Sequence, residues 1–229
     1  MKISYLITCS SETTTLQNLL EKLALVVPNN YNDEVVVVAD EDTKNEATEK
    51  ILQQFKDQFR ILHHSLSKNY GAHKNWGAEQ CEGEYIFQID GDELPSDYTL
   101  GENLHAILDA NPGIDLIYVP RINDFKGVKP EHAAQWNWKL SESKTYKRPI
   151  VNWPDFQTRI YKKEPSRIKW DRRLHEKIEG FDTMTTLPAD EEFALYHDKT
   201  IETQLKTNQR YNEWFTHEEN KGHDVFIKK

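Results

Sequence analysis

The chain has 229 residues, of which 29% are charged, and its formal net charge at pH 7 is −9. An acidic surface disfavours a nucleic-acid partner, because phosphate binding requires clustered basic residues, and no apolar run approaches the roughly 20 residues that cross a bilayer. The N-terminus enters a strand-like segment at once and shows no signal-peptide pattern. Cys9 and Cys81 lack a metal-ligand or disulfide spacing, which indicates a reducing compartment such as the cytoplasm.

The first hundred residues alternate between strand and helix patterns. Runs of β-branched and aromatic residues predict strands over 3–8, 34–39, 60–63 and 85–89. Helical spacing of apolar residues predicts helices over 13–25, 45–59 and the later part of 67–80. This alternation predicts a parallel sheet built from βαβ units. Ligands bind such sheets beyond the carboxyl ends of the strands.

The second half of the chain is less regular. Its patterns predict a helix over 104–108, a strand over 116–119 and a final helix over 201–215, with a polar stretch of little periodicity over 121–148. There is no internal repeat and no low-complexity linker. We therefore expect one domain over 1–215 and a loose C-terminal tail over 216–229.

Three carboxylates follow the fourth predicted strand, at Asp90, Asp92 and Glu93. Carboxylates this close repel one another, and a divalent cation such as Mg²⁺ or Mn²⁺ relieves the repulsion. Mg²⁺ is often held by one or two protein carboxylates while substrate phosphates complete its shell, so the motif predicts a metal–diphosphate site. An acidic turn is the alternative, because Asp-Gly is a common turn dipeptide. A calcium loop fits poorly, since Pro95 stands where an EF-hand needs glycine.

Four blocks, in this order and spacing, resemble the family 2 glycosyltransferases, which bind nucleotide sugars and have the GT-A fold. The blocks are the first strand over 3–10, the second strand over 34–40, the segment 69–78 with the strand entry 82–86, and the Asp-Gly-Asp at 90–92. The chain departs from the family pattern in three places. The usual Pro and Asn after the first strand are absent, Ala39 replaces an aspartate, and Lys74 replaces an arginine.

A narrower likeness covers the C-terminal half. It resembles a subgroup of soluble enzymes that extend lipopolysaccharide cores, together with some viral and tetratricopeptide-linked transferases. The matching residues are 154–161, 174–176, His197 and 208–211. This likeness implies a chain without transmembrane helices that works in the cytoplasm of a bacterium or of a virus-infected host cell.

The resemblance implies an α/β protein with a Rossmann-like GT-A fold, in which helices flank a mostly parallel central sheet and a smaller C-terminal region lies on the acceptor side. Residues 1–100 would form the nucleotide-binding half and 101–215 the acceptor-side half. The implied activity is metal-dependent, inverting transfer of a sugar from a nucleotide-diphosphate sugar, a UDP-sugar above all, to a hydroxyl group. The acceptor would be a glycan, a lipid-linked saccharide or a protein.

The resemblance also implies roles for single residues. Asp92 and His197 would bind the metal, Mn²⁺ or Mg²⁺, and Glu176 would be the general base, a role that a carboxylate can fill when burial raises its pKa. The residues expected to contact the nucleotide are Thr8, Ser10, Asp40, Lys74, Asp90 and Asp92. The residues expected to contact the sugar or the acceptor are Trp153, Gln157, Arg159 and His175.

Several of these residues have a plainer interpretation. Glu93 is expected to be a solvated neighbour of the metal site, Glu176 has the alternative of a surface charge, and Arg159 that of a structural ion pair. Tryptophans pack in cores more often than they stack on sugars, which applies to positions 136, 138 and 153. No role is assigned to His63, His64, His217 and His223.

Two other functions remain open for the whole chain. The first is a non-catalytic protein of the same fold that binds a nucleotide or a glycan. The second is a nucleotidyltransferase, which also combines a doubly wound sheet with acidic metal ligands. It is disfavoured because residues 8–12 contain neither the glycine nor the lysine of a phosphate-binding loop.

Overall fold

The computed structural model describes residues 1–27, 31–43 and 45–220. Its helices are α1 Thr14–Val26, α2 Glu46–Phe55, α3 Tyr70–Gln80, α4 Gly101–Asp109, α5 Pro130–Gln135 and α6 Ile201–Trp214. Its strands are β1 Ile3–Cys9, β2 Glu34–Asp40, β3 Arg60–His64, β4 Tyr85–Asp90, β5 Leu94–Pro95, β6 Leu116–Lys126, β7 Leu140–Ser141, β8 Ile150–Lys162, β9 Lys169–Asp171, β10 Lys177–Glu179, β11 Met184–Thr186 and β12 Leu195–Thr200. Within these residues, every helix is too short or too polar to cross a bilayer.

A central sheet runs in the order β3-β2-β1-β4-β8-β6-β12-β5, with β7 beside β8 and β11 beside β6. The first four strands are parallel to one another. β8 is antiparallel to its neighbours β4 and β6, and β12 runs parallel to β6. β9 and β10 form a separate small sheet. The predicted α/β fold with a mostly parallel central sheet is confirmed.

Alternating side chains of β1 bury into two cores, one on each face of the sheet. Tyr5 and Ile7 face the larger core, which helices α1, α2 and α4 cover. Leu6 faces the second core, which α3 and the β9–β10 pair cover. The apolar stripe of α1 lies wholly inside the larger core, and each fully buried leucine contributes roughly 1.5–3 kcal/mol relative to exposure. That stripe consists of Leu16, Leu19, Leu20 and Leu23.

The largest difference from the predicted elements lies in the second half. The strand predicted over 116–119 continues to Lys126, into the stretch expected to be irregular. The 13-residue β8 was not predicted, because the polar side chains within it interrupt the hydrophobic alternation that marks a strand. The helix predicted over 45–59 ends at Phe55. The part of the predicted tail over 221–229 lies outside the described residues, whereas Asn220 is buried against the protein.

Candidate functional site

Parallel pairing of β1 with β4 places Thr8 opposite Asp90 at the carboxyl edge of the sheet. The Thr8 hydroxyl donates to Oδ1 of Asp90 over 3.1 Å. Gly91 begins the turn that follows, and a Cβ there would lie 2.9 Å from the Cβ of Cys9, so the turn packs closely on the end of β1. The predicted strand-end carboxylates therefore stand where open α/β sheets bind ligands.

Asp90 lies between two buried cations. Nη2 of Arg159 donates to its Oδ2 over 2.7 Å, and Nζ of Lys74 lies 3.0 Å from its Oδ1. Burial alone would raise the pKa of Asp90, but Arg159 and Lys74 outweigh it and hold the pKa below its usual range. The carboxylate is therefore charged at neutral pH.

Glu93 corrects an expectation from the sequence. It is not a solvated neighbour, because it is 0% exposed. Its Oε1 accepts from Arg159 over 2.7 Å and from Arg121 over 3.0 Å. A buried carboxylate is tolerated only with such partners, and both arginines come from strands distant in sequence. Glu93 thus joins the strand-end turn to β6 and β8.

Asp92 faces β12. Its Oδ2 lies 2.9 Å from Nζ of Lys199 and 3.3 Å from Nε2 of His197. His197 and Lys199 are two residues apart on a strand, so they project from the same face. Burial would raise the pKa of Asp92, but the charge of Lys199 outweighs it and holds the pKa well below its usual range.

The hydrogen bonds of His197 fix which of its nitrogens carries the proton. Asn123 donates from Nδ2 to Asp155 over 2.9 Å, which turns its Oδ1 toward Nδ1 of His197 at 2.7 Å. That oxygen can only accept, so Nδ1 carries the proton. Burial and then Lys199 lower the pKa of His197, which favours the neutral ring, whose Nε2 presents a lone pair 3.3 Å from Oδ2 of Asp92.

The lone pair of His197 and the carboxylate of Asp92 therefore face each other as two acceptors. Such a pair lacks a proton to share and fits a divalent cation, for which imidazole and carboxylate are both ligands. Among the residues that the structure describes, no group of three or more His, Cys, Asp or Glu side chains is placed to hold a metal. The remaining ligands would have to come from a substrate or from water.

Glu176 meets Lys74 beside this edge. Nζ of Lys74 lies 2.7 Å from Oε1 of Glu176 and 4.7 Å from the centre of the Trp170 ring. Lys74 is 3% exposed and bridges Glu176 to Asp90. In this structure Lys74 thus contacts two carboxylates, and its predicted contact with the nucleotide stays a prediction.

The segment that carries Glu176 is docked onto α3 by backbone contacts. Asn75 of α3 accepts from the Trp170 backbone N–H and donates to its carbonyl, both over 2.8 Å. The N–H of Tyr70 donates to the carbonyl of Arg173 over 3.0 Å. A Cβ on Gly71 would collide with the carbonyl of Arg172, so only glycine permits this approach.

The four residues predicted to contact the sugar or the acceptor all have partners within the protein. Nε2 of His175 lies 2.9 Å from the side-chain oxygen of Asn220, close to Glu176 on the same segment. Arg159 forms the buried ion pairs described above, which matches its structural alternative. Gln157 donates to Asp155 over 2.8 Å, and Trp153 packs beside Ile122 and Ile150. Their predicted contacts with substrate remain untested.

The predicted nucleotide residues at the end of β2 form a loop network. Asp40 is 2% exposed, and its carboxylate accepts from the Leu66 N–H over 2.9 Å and from the hydroxyl of Thr43. That Thr43 hydroxyl also hydrogen-bonds the Ser10 hydroxyl. Asp40 thus holds together the loops that border a cleft, and a contact with the ribose or the base stays a prediction.

This open cleft has a volume of about 660 Å³. Its lining residues are Glu41, His63, His64, Ser65, Leu66, Ser67, Asn69, Ala72, His73 and Arg173. Nδ1 of His64 lies 3.2 Å from Nδ1 of His73, and the His64 ring stacks on Trp76 at 4.2 Å. No role was predicted for His63 and His64 from the sequence, although their place at the end of a predicted parallel strand was a usable signal. His223 lies outside the described residues.

Glu12 is a further residue at this edge for which the sequence predicted no role. Its Oε2 accepts from the Ser10 N–H over 2.6 Å. Burial, and then the charge of Asp92, raise its pKa above the usual range. Among the residues that the structure describes, Glu12 has no cation as an ion-pair partner, so it adds to the negative potential at this edge of the sheet.

Comparison with known families gives one match that covers most of the chain. The model of the family described as Glycosyl transferase family 2 matches residues 4–171. No curated protein matches the chain.

Several solved structures share the fold. The crystal structure of S. aureus TarS 1-349 in complex with UDP-GlcNAc has a TM-score of 0.58 and 20% identity, over 87% of this chain and 59% of that one. TarS 1-349 alone gives a TM-score of 0.57 at 19% identity, over 86% and 60% of the two chains. The longer S. aureus TarS structure gives 0.57 at 17% identity, over 92% of this chain and 39% of that one. The chain thus spans less than two thirds of these proteins' lengths, and at such identities the likeness is one of fold.

Proposed function

We propose that this chain, which belongs to glycosyl transferase family 2, transfers a sugar from a nucleotide-diphosphate sugar to a hydroxyl group, with inversion and with a divalent metal. One observation carries the proposal. A candidate metal pair, Asp92 with His197, and a candidate base, Glu176, lie at one edge of the sheet and are joined through Asp90 and Lys74.

The donor would lie across the carboxyl ends of β1, β2 and β4. Its base would enter the cleft beside His64, and its ribose and diphosphate would pass Thr8, Ser10 and Asp40 toward Asp92. A UDP-sugar is the donor we propose first, because the TarS structure with the same fold holds UDP-GlcNAc. The acceptor is a glycan, a lipid-linked saccharide or a protein.

The metal, Mn²⁺ or Mg²⁺, would be held by Asp92 and by Nε2 of His197. When bound, it would neutralise charge that develops on the leaving diphosphate. Asn123 keeps the proton of His197 on Nδ1, so that Nε2 is available as a ligand. The hydrogen bond that Nδ1 of His197 donates to Oδ1 of Asn123 also fixes the orientation of the ring.

Glu176 would accept the proton of the acceptor hydroxyl. Lys74 binds its Oε1, which leaves Oε2 to take the proton as the hydroxyl oxygen forms its bond to the anomeric carbon. The bond between that carbon and the diphosphate breaks on the opposite face, which inverts the configuration. Positioning of this kind, and proton transfer to a placed carboxylate, are established sources of rate enhancement.

The two thiols of the chain, Cys9 and Cys81, are free and buried. Free thiols persist in a reducing compartment, and we therefore place the protein in the cytoplasm.

Replacing Glu176 with Gln tests the proposal. Gln keeps the size of the side chain but cannot take the proton, so we expect release of UDP from UDP-sugars with saccharide acceptors to fall by about 10²–10⁴-fold. The affinity for UDP and Mn²⁺ should stay close to that of the wild type. The matched control is Glu179→Gln, at an exposed position of β10, which should leave turnover unchanged. A Glu176→Gln variant that turns over at the normal rate would remove Glu176 from the mechanism.

A further inference from the structure

Lys199 differs from the other cations of the site. Lys74 and Arg159 are nearly inaccessible, with side chains 4% exposed, and each contacts two carboxylates. Arg121 likewise contacts both Glu93 and Asp155. The side chain of Lys199 is 18% exposed, and its one recorded ion pair in the described part of the chain is with Asp92. Of these four cations, Lys199 is thus the one held by a single recorded ion pair, whereas each of the others contacts two carboxylates.

Lys199 is paired with Asp92, the carboxylate proposed to bind the metal. Its ammonium lies 2.9 Å from Oδ2 of Asp92, the same oxygen that faces Nε2 of His197. A divalent cation bound there would sit beside a like charge, which is strongly unfavourable at such a distance in a partly buried site. Lys199 therefore has to leave Asp92 when the metal binds.

The ammonium then needs another anion. Asp90 is already paired with Lys74 and Arg159, and Asp155 accepts from Arg121 and Asn123. Glu12 lacks a cation among the described residues, but its Oε2 accepts from the Ser10 N–H. The diphosphate of the donor, which a metal on Asp92 would hold next to β12, brings further negative charge to this edge. Resting on the proposed function, we propose that Lys199 is an exchangeable counter-ion, which neutralises Asp92 before a metal binds and binds the diphosphate once the metal has displaced Lys199 from Asp92.

The exchange makes two predictions of opposite sign for Lys199→Met, which keeps the length of the side chain and removes its charge. Mn²⁺ should bind the nucleotide-free protein roughly three- to tenfold more tightly, because it no longer competes with an ion pair. UDP at saturating Mn²⁺ should bind roughly tenfold or more weakly, because a charge-assisted hydrogen bond to phosphate is lost. Lys199→Arg keeps the charge and should retain most of the UDP affinity.

Calorimetric titration with Mn²⁺ alone, and then with UDP in the presence of Mn²⁺, measures both effects. The control is Lys144→Met, which removes an exposed lysine paired with Asp190 and should change neither affinity. The inference is overturned if Lys199→Met binds Mn²⁺ no more tightly than the wild type, or if its UDP affinity stays within about twofold of it. If the wild type binds Mn²⁺ but no UDP, the proposed donor and the diphosphate half of the inference both fall, while the Mn²⁺ titration still decides whether Lys199 competes for Asp92.

Discussion

His73 faces His64 across the wall of the cleft, with the two Nδ1 atoms 3.2 Å apart. One nitrogen must donate and the other accept, so the pair cannot be doubly protonated without repulsion. Burial of His73, and then the neighbouring His64, lower the pKa of His73 below its usual 6.5. The cleft therefore keeps His73 neutral at pH values where a free imidazole would be charged.

This shift makes stability depend on pH in a defined direction. Below about pH 6.5 the unfolded chain binds a proton at His73 before the folded protein does, so the free energy of unfolding falls as the pH falls toward the folded-state pKa. His73→Gln removes the titration, and we expect its stability to decline less steeply there, by up to about 1.4 kcal/mol per pH unit. Urea unfolding between pH 7.5 and 5 measures this. A pH profile of stability for His73→Gln that matches that of the wild type would contradict the account.

Single residues differ in how far the sequence can predict them. The place of Asp90 and Asp92 at a strand end was predictable, because they directly follow an apolar run in the sequence. The burial of Glu93 was not, because its partners Arg121 and Arg159 lie about 30 and 65 residues away in the chain. The ion pair of Lys199 with Asp92 could not be predicted either, because it forms only when the fold brings β12 next to Asp92.

At the scale of elements, α3 and the segment after β9 act together. The side chain of Asn75 hydrogen-bonds both the N–H and the carbonyl of Trp170. The absence of a side chain at Gly71 lets the carbonyl of Arg172 pack against the helix. One turn after Gly71, Lys74 then meets Glu176. The helix thus places the candidate base through backbone packing as well as through the ion pair.

Gly71→Ala tests this arrangement. The added methyl would collide with the Arg172 carbonyl, which must shift and carry Glu176 with it. Misplacement by about 1 Å can cost on the order of 10²-fold in rate, so we expect turnover to fall while the affinity for UDP and Mn²⁺ changes less. Steady-state kinetics and calorimetry on the same preparation separate the two quantities. Unchanged turnover would show that the segment does not depend on this contact.

The helices and strands of the first half could be predicted, because the apolar pattern of each segment matches the element that the segment forms. The run of four valines in β2 and the leucine stripe of α1 both produced strong patterns. β8 was missed for the opposite reason: Asp155, Gln157 and Arg159 interrupt its apolar pattern. Those polar residues lie where the strand crosses the candidate site, and they interrupt the alternation of apolar residues by which a strand is predicted.

At the scale of the molecule, β8 joins two parts of the sheet. β1 to β4 form the parallel part that would bind the nucleotide, and β6 and β12 carry Asn123, His197 and Lys199. The ion pairs of Arg121 and Arg159 with Glu93 span this junction. Because buried charges are costly without all their partners, the network stabilises one relative position of the two parts, and the candidate metal pair depends on it.

The C-terminal residues connect to the same site. Arg173 pairs with Glu219, and His175 with Asn220, on either side of the segment that precedes Glu176. The chain after α6 therefore contributes to the position of the candidate base, although the sequence assigned residues from 216 onward to a loose tail.

Thermal unfolding with UDP, GDP, CDP and dTDP, each with and without Mn²⁺, tests the central claim most directly. A ligand that binds the folded state stabilises it by about 2.7 kcal/mol at a hundredfold excess over Kd. We predict that UDP stabilises the wild type in a Mn²⁺-dependent way, that Asp92→Asn loses the effect, and that the control Asp109→Asn, at the exposed end of α4, keeps it. No response to any of the four nucleotides, or an equal response in Asp92→Asn, would contradict a metal-dependent nucleotide-sugar site at this edge of the sheet.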